Sequence, residues 1–228
     1  MRKAGNIEVS SEIPDSNPST GETPAASRER PYAGKTPEER RADRRTQLIE
    51  AGLELFGTVG FRDTTIERLC AVAGVGIRAF YDEFGTRADL LRHVYDHVVD
   101  QAFVRLTTAL EESALVSAVE RLDCGIRVFF DSMLIDPRRG QIVSIECSGL
   151  DAAMDIHRNN MMKKFAGTMI GALTPEQRDA VVDTRLWSIM LGGAANEVVI
   201  DWLVSKEKPD IDALADNFMA IWLSTFRA

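Results

Sequence analysis

The chain has 228 residues, 45 % of them apolar, and a formal net charge of −8. That length suits one or two domains with a sizeable core. No apolar run approaches the ~20 residues that span a bilayer, and the first twenty residues lack the apolar centre of a secretory signal, so an integral helical membrane protein and a membrane partner are excluded. The three cysteines, Cys70, Cys124 and Cys147, are odd in number and widely spaced. They make neither a disulfide framework nor a metal-ligand cluster, and they fit a reducing cytoplasm. Each reads as a buried small hydrophobe.

Residues 1–35 are rich in Ser, Pro, Thr, Gly and Glu, show no apolar period, and read as a disordered tail. The charge is uneven along the chain: net −2 over 1–27, +1 over 28–92 and −7 over 93–228. Arg28, Arg30, Lys35, Arg40, Arg41, Arg44 and Arg45 crowd the start of the least acidic part. They form either a basic arm for a phosphate backbone or a solvated segment without a role; screening over roughly 10 Å lets a local cluster act on an acidic body.

From Thr36 onward the chain reads as helices marked by caps. Thr36-Pro-Glu-Glu39 has a capping hydroxyl, proline at the first helical position and a glutamate three residues after the cap. The helix it opens carries Leu48, Gly52, Leu55 and Phe56 on one face and stops around Gly57–Gly60. Thr64-Thr-Ile-Glu67 is a second capping box, followed by the apolar stripe Ile66, Leu69, Cys70 and Ala73. Gly74-Val75-Gly76 turns the chain into a helix of about two turns, Ile77 to Phe84. Phe80 and Phe84 face the core there, and Ile77, Arg78, Tyr81 and Asp82 face outward. Two short helices meeting at a tight glycine turn outline a helix-turn-helix, whose second helix enters the major groove of DNA. Thr86-Arg-Ala-Asp89 then opens a long helix toward Glu112.

The remainder also reads as helical. Leu115–Ile135 is one segment, ended by Asp136-Pro137-Arg-Arg-Gly140, and Gln141–Leu173 is a second, broken near Ser148-Gly149. Thr174-Pro-Glu-Gln177 is a further capping box, opening a helix with Trp187, Met190, Leu191, Val198 and Trp202. Lys206–Pro209 is a loop. Asp210 or Asp212 starts the last helix, which carries Leu214, Phe218, Ile221 and Trp222. The fold class is therefore all-α with about nine or ten helices: a helix-turn-helix domain over 36–92 and a helical ligand-binding and dimerisation domain over 93–228.

Chemistry beyond DNA is thinly supported. There is no glycine-rich phosphate loop, no HExxH and no nucleophile elbow, which leaves a helical enzyme as a remote alternative. His93 and His97 stand four apart on one helix but lack a third ligand in register, so neither a metal nor another cofactor is expected. An adaptable, Met- and Phe-rich middle suits either plain core or a pocket for a largely apolar small molecule. The candidates for lining it are Phe103, Phe129, Met133, Met154, Met161, Phe165, Trp187 and Met190. His157 and Glu146 are candidate polar contacts.

The stretch TTIERLCAVAGVGIRAFYDEFGTRADLL resembles the DNA-binding domain of TetR-family transcriptional regulators. The marks are Thr64-Thr65, Ala73-Gly74-Val75, Tyr81 with Phe84, then Arg87 and Leu90. They are preceded by Ala51–Phe56 and Gly60-Phe61, and the likeness covers roughly 42–102. The resemblance implies contacts to double-stranded operator DNA from Arg45, Thr64, Thr65, Gly76, Ile77, Arg78, Tyr81, Thr86 and Arg87. Thr65 is placed for a phosphate at a helix N-terminus or merely as a cap. Arg87 is placed for a phosphate, and Tyr81 for the DNA backbone or partly for the core. Ile77 and Arg78 are placed for base edges, with a phosphate as the alternative for Arg78. Many relatives have Ser or Thr where this chain has Gly76. Asp82 and Glu83 add two carboxylates that either turn away from DNA or, at Glu83, read a cytosine.

In that family the final two helices form a dimeric four-helix bundle. Here the matching residues are Leu191, Ala195, Val198, Val199, Trp202, Phe218, Ile221 and Trp222, unless these faces only complete the monomer's own core. The expected function is a ligand-responsive transcriptional regulator, a homodimeric repressor released from a palindromic operator by a small molecule. A protein–protein adaptor that kept the fold is the alternative.

Overall fold

A computed structural model describes residues 36–112, 117–171 and 183–224. The 1–35 tail, with Arg28, Arg30 and Lys35 of the basic arm, and the Thr174–Gln177 cap lie outside the described residues. The described elements are α1 (Pro37–Thr58), α2 (Ile66–Ala73), α3 (Ile77–Glu83), α4 (Arg87–Glu112), α5 (Ala118–Leu134), α6 (Pro137–Gly140) running into a π-helical turn (Gln141–Glu146), α7 (Ala152–Gly171), α8 (Thr184–Val204) and α9 (Ile211–Ser224). No strand occurs among the described residues, and none of their helices is long and apolar enough to cross a membrane.

Local chemistry accounts for most of these boundaries. The Thr36 hydroxyl accepts from the Glu39 N–H at 3.1 Å while the Glu39 carboxylate accepts from the Thr36 N–H at 2.6 Å, which satisfies two helix-end donors reciprocally. Just past the end of α1 at Thr58, the chain turns at Gly60, whose φ of +93° suits glycine. α4 starts where the Thr86 hydroxyl accepts from the Asp89 N–H at 3.1 Å. α5 begins later than the apolar pattern suggests, after a capping box of Ser117 and Glu120. Gly149, at φ +69°, makes the expected break before α7. The helix bearing Trp187 starts at Thr184, because Asp183 is extended and its carboxylate accepts from the Leu186 N–H at 2.9 Å. Asp210 caps α9 by accepting from the Ala213 N–H at 3.1 Å.

One expected cap moves by a residue. Thr65, not Thr64, caps α2, its hydroxyl accepting from the Arg68 N–H at 3.2 Å. Thr64 is fully buried, and its hydroxyl donates to the Gly60 carbonyl at 2.7 Å. The anticipated Thr64–Glu67 box is therefore absent, because the fold needs that hydroxyl to close the loop behind α1.

A single apolar core runs from Leu48 on α1 to Met219 on α9. α4 is its spine, burying residues from Leu90 to Leu106, and it passes without interruption through position 92, where the sequence suggests a domain boundary. α1 crosses α4 closely at Gly52, where a Cβ would lie 2.7 Å from Val94 Cγ2. Leu191, Ala195, Val199, Trp202 and Phe218, expected at a dimer interface, are buried inside the protomer. Phe218 packs edge-on against Phe130 of α5 at 5.5 Å. The reason is geometric: α8 and α9 must seal the body before any face is left for a second copy. Val198 and Trp222 are half-buried, and Ile221 is exposed.

The thiols follow the packing. Cys70 and Cys147 are buried, whereas Cys124 is only half-buried. Burial pushes the Cys147 thiol up to about 12. His93 and His97 do not converge on a common point: Nδ1 of His93 is 2.8 Å from the Asp89 carbonyl, and Nε2 of His97 is 2.8 Å from the Gln101 amide nitrogen. Among the described residues no three His, Cys, Asp or Glu side chains cluster to hold a metal.

Candidate nucleic-acid interface and effector cavity

The α2–α3 turn is built by Gly74, left-handed at φ +66°, whose N–H donates to the Cys70 carbonyl. Gly76 is extended and starts α3 without a side-chain cap. With only seven residues, α3 depends on tertiary contacts for its stability. Phe80 and Phe84 bury completely or nearly so, their ring centroids 6.2 Å apart. The opposite face is open: Ile77 is 47 % and Tyr81 56 % exposed, and Arg78 and Asp82 lie beside them on the surface.

Glu83 resolves one of the two carboxylate questions. Its side chain is 1 % exposed and accepts from Arg41 Nε at 3.0 Å and Arg44 Nη2 at 3.3 Å. It faces α1, and two arginines of the basic cluster hold it there. A carboxylate this buried needs such partners. Asp82 alone remains as an exposed acid on α3.

The family-implied residues divide by environment. Arg78, Ile77, Tyr81, Gly76 and Thr65 share exposure on or beside the α2–α3 unit. Thr64 is inaccessible. The Thr86 hydroxyl donates to Asp89 at 2.7 Å. The Arg45 guanidinium lies 4.7 Å from the Phe84 ring centroid. Arg87 points inward. Its Nη1 donates to the Phe61 carbonyl at 3.0 Å and also to the Thr64 carbonyl, and the guanidinium lies 4.9 Å from the Phe61 ring centroid. It ties α4 to the loop before α2.

That loop is held from the other side as well. Glu146, at the end of the π-helical turn, accepts from the Phe61 N–H at 2.8 Å through Oε2 and from Gln141 Nε2 at 2.8 Å through Oε1. Nearby, Arg138 bridges Asp136 and Glu54 of α1. The α1–α6 approach is tight enough that a Cβ at Gly57 would lie 2.5 Å from Arg138 Cβ. Sequence reasoning offered Glu146 only as a ligand contact, since a partner 85 residues away leaves no local signal.

In the body, α4, α5, α7 and the π-helical turn line an apolar cavity with about 30 Å³ of free space inside a half-open recess. Its walls are Tyr95, Val99, Ala102, Phe103, Phe129, Met133, Val143, Met161, Met162 and Phe165. Five expected residues meet there: Phe103, Phe129, Met133, Met161 and Phe165. Four others do not. Met154 is buried away from the cavity. His157 Nε2 is 2.7 Å from Asp96 Oδ1. Trp187 packs edge-on against Trp222 at 5.9 Å, and Met190 is exposed. A second, smaller apolar space with about 10 Å³ of free volume adjoins the first, sharing Phe129, Met162 and Phe165 and reaching Leu191 and Ala195.

A short recognition helix with an open polar face, on a helical body that holds an internal apolar cavity, defines a helix-turn-helix DNA-binding regulator. Residues 48–94 match the model for bacterial regulatory proteins of the tetR family. That match covers the helix-turn-helix segment, which is similar to the DNA-binding domain of tetR-family regulators. The fatty acid metabolism regulator protein of Bacillus subtilis (strain 168) is similar, 22 % identical over 182 residues that cover 78 % of this chain and 93 % of the relative. Among solved structures, FadR of Bacillus subtilis in complex with stearoyl-CoA shares the fold at a TM-score of 0.70 and 22 % identity, covering 78 % of this chain and 97 % of that one. FadR of Bacillus halodurans shares it at 0.68 and 19 %, with the same coverage. A regulator from Pseudomonas aeruginosa PAO1 shares it at 0.65 and 19 %, covering 84 % and 92 %.

Proposed function

We propose that this chain is a repressor whose dimer reads a palindromic operator through α3 and is released when a long-chain acyl-CoA enters the body. The observation that carries this is the path from cavity to reading head. Val143 lines the cavity, and Glu146, three residues later on the same π-helical turn, holds the loop that leads into α2. The stearoyl-CoA bound to the Bacillus subtilis relative supports the ligand class. The free space inside is only about 30 Å³, a tenth of the roughly 300 Å³ at which ligand pockets begin. An acyl chain would have to displace the methionines, which re-pack readily. That rearrangement gives the ligand different affinities for two states, as release requires.

On this reading, dimerisation uses what the protomer leaves open on α8 and α9: Met190, Val198, Ile221 and Trp222. It sets half-site centres ~34 Å apart or a multiple. The adaptor alternative rested on Asp82 and Glu83, and the inward turn of Glu83 removes half its support.

Two experiments test the reading. Electrophoretic shift on the DNA upstream of the chain's own gene is expected to show a complex that stearoyl-CoA dissociates, with a coupling of about 1–3 kcal/mol. A complex indifferent to acyl-CoA rejects the effector. Arg78→Ala is expected to weaken operator binding by about 1–3 kcal/mol. A salt slope lowered by about 1 makes Arg78 a phosphate contact, and an unchanged slope with relaxed sequence preference makes it a base reader. Unchanged binding in both Arg78→Ala and Tyr81→Ala rejects α3 as the reading helix.

A further inference from the structure

Beside the apolar cavity lies a polar groove between α7 and α8, about 1240 Å³ with its open side included. It shares one wall residue, Met162, with both apolar spaces. Met162 occupies this junction because residue 192 is glycine; a Cβ there would overlap the methionine side chain. Gly193, the next residue, lines the groove with no atom within 4 Å of where its Cβ would stand.

The groove contains polar atoms that the fold does not satisfy. Ser144 is 2 % exposed, and its hydroxyl has no hydrogen-bond partner among the described residues; the buried Asn196 carboxamide oxygen has none either. Buried polar groups are almost always paired, and leaving one unpaired is costly. Both orphans are therefore signs of a polar occupant. The charges indicate its type. Arg158 donates through Nε to the Val143 carbonyl at 3.1 Å and has Asp155 3.9 Å from Nη1. Lys163 and Glu197 complete a balanced set of two cations and two anions. A balanced wall with an unpaired hydroxyl and carboxamide suits an uncharged chain of amides better than a bare carboxylate or phosphate.

We infer that the groove is the second chamber of the effector site: it takes the amide-bearing arm of an acyl thioester while the acyl tail occupies the apolar cavity, with Met162 at the junction. This rests on the acyl-CoA reading proposed above and adds a specificity that the apolar cavity cannot provide, namely selection of the thioester over the free fatty acid. Asn196 and Ser144 are the specificity residues, reading amide groups by hydrogen bonds whose loss leaves them unpaired.

Calorimetric titration of the full-length protein with stearoyl-CoA, stearoyl-pantetheine and stearate tests the inference. The wild type is expected to bind both thioesters about tenfold more tightly than stearate, an amount that one or two such hydrogen bonds account for. Asn196→Leu, and independently Gly193→Phe, which fills the groove from an exposed helix position, are expected to erase that preference while stearate affinity stays within about twofold. Equal binding of all three ligands to the wild type overturns the groove and leaves the apolar effector reading standing. So does retention of the preference in Gly193→Phe, a variant that remains informative if Asn196→Leu does not fold. A preference for stearoyl-CoA that stearoyl-pantetheine lacks assigns recognition to the nucleotide and overturns the amide assignment. Failure of every ligand to bind the wild type rejects the acyl effector itself, and the groove inference with it.

Discussion

Arg87→Ala is expected to abolish operator binding by loosening the reading head, not by deleting a phosphate contact. The wild-type guanidinium donates to the carbonyls of Phe61 and Thr64 and lies against the Phe61 ring. Phe61 in turn packs edge-on against Phe56 of α1 at 5.6 Å. Truncation leaves two half-buried carbonyls without their charged donor and removes a cation–π contact, a loss of about 2–4 kcal/mol. In a chain of this size that lowers Tm by roughly 5–15 °C. Arg87→Lys separates the two roles. An ammonium would still attract a phosphate, but it lacks the planar fork that spans two carbonyls. Lysine should therefore fail to restore either Tm or binding. A wild-type Tm for Arg87→Ala, with its salt slope reduced by about 1, would return Arg87 to the phosphate role that the family resemblance implies.

Glu146→Leu is expected to separate effector binding from DNA release. Both holds on the Phe61–Thr64 loop are side chains from distant segments: Arg87 from α4, and Glu146 from a turn that also lines the cavity. Without the carboxylate, a shift of the π-helical turn no longer pulls on the Phe61 N–H. Acyl-CoA should still bind the body, but the difference in operator affinity with and without it should fall to about threefold or less, against the 5- to 150-fold of ordinary coupling. Glu146→Gln keeps an acceptor for that N–H and should retain most of the release, which distinguishes the bond from mere packing. Fluorescence anisotropy on labelled operator, titrated with stearoyl-CoA, reads both quantities. Wild-type release in Glu146→Leu would mean that the signal travels through α4 alone.

The helix-turn-helix was legible in the sequence because its determinants are local. A capping hydroxyl and its glutamate at Thr36 and Glu39, a glycine at positive φ at Gly74, and an apolar stripe of period 3.6 on α2 all act within four residues or so. The outward face of α3 follows from the same periodicity once Phe80 and Phe84 are placed inside. The one-residue shift at Thr64 shows the limit. Two adjacent threonines offer the same capping chemistry, and only the loop closing on Gly60 decides which one caps.

The sequence by itself thus determined the all-α class, most of the helix boundaries, the glycine turn and the exposed residues of α3. The tertiary structure alone decided what charged side chains do across the fold. Glu83 turns to arginines 39 and 42 residues away, Arg87 to carbonyls 23 and 26 residues away, and Glu146 to a backbone N–H in the reading head. It also decided that Leu191, Ala195, Val199, Trp202 and Phe218 close the protomer's own core, and that Met162 stands where apolar cavity and polar groove meet. The physical reason is range. Caps and helical periodicity are satisfied by near neighbours in the chain, whereas a long charged or apolar side chain is satisfied by whichever distant element packing brings within a few ångströms, and no spacing in the sequence records that.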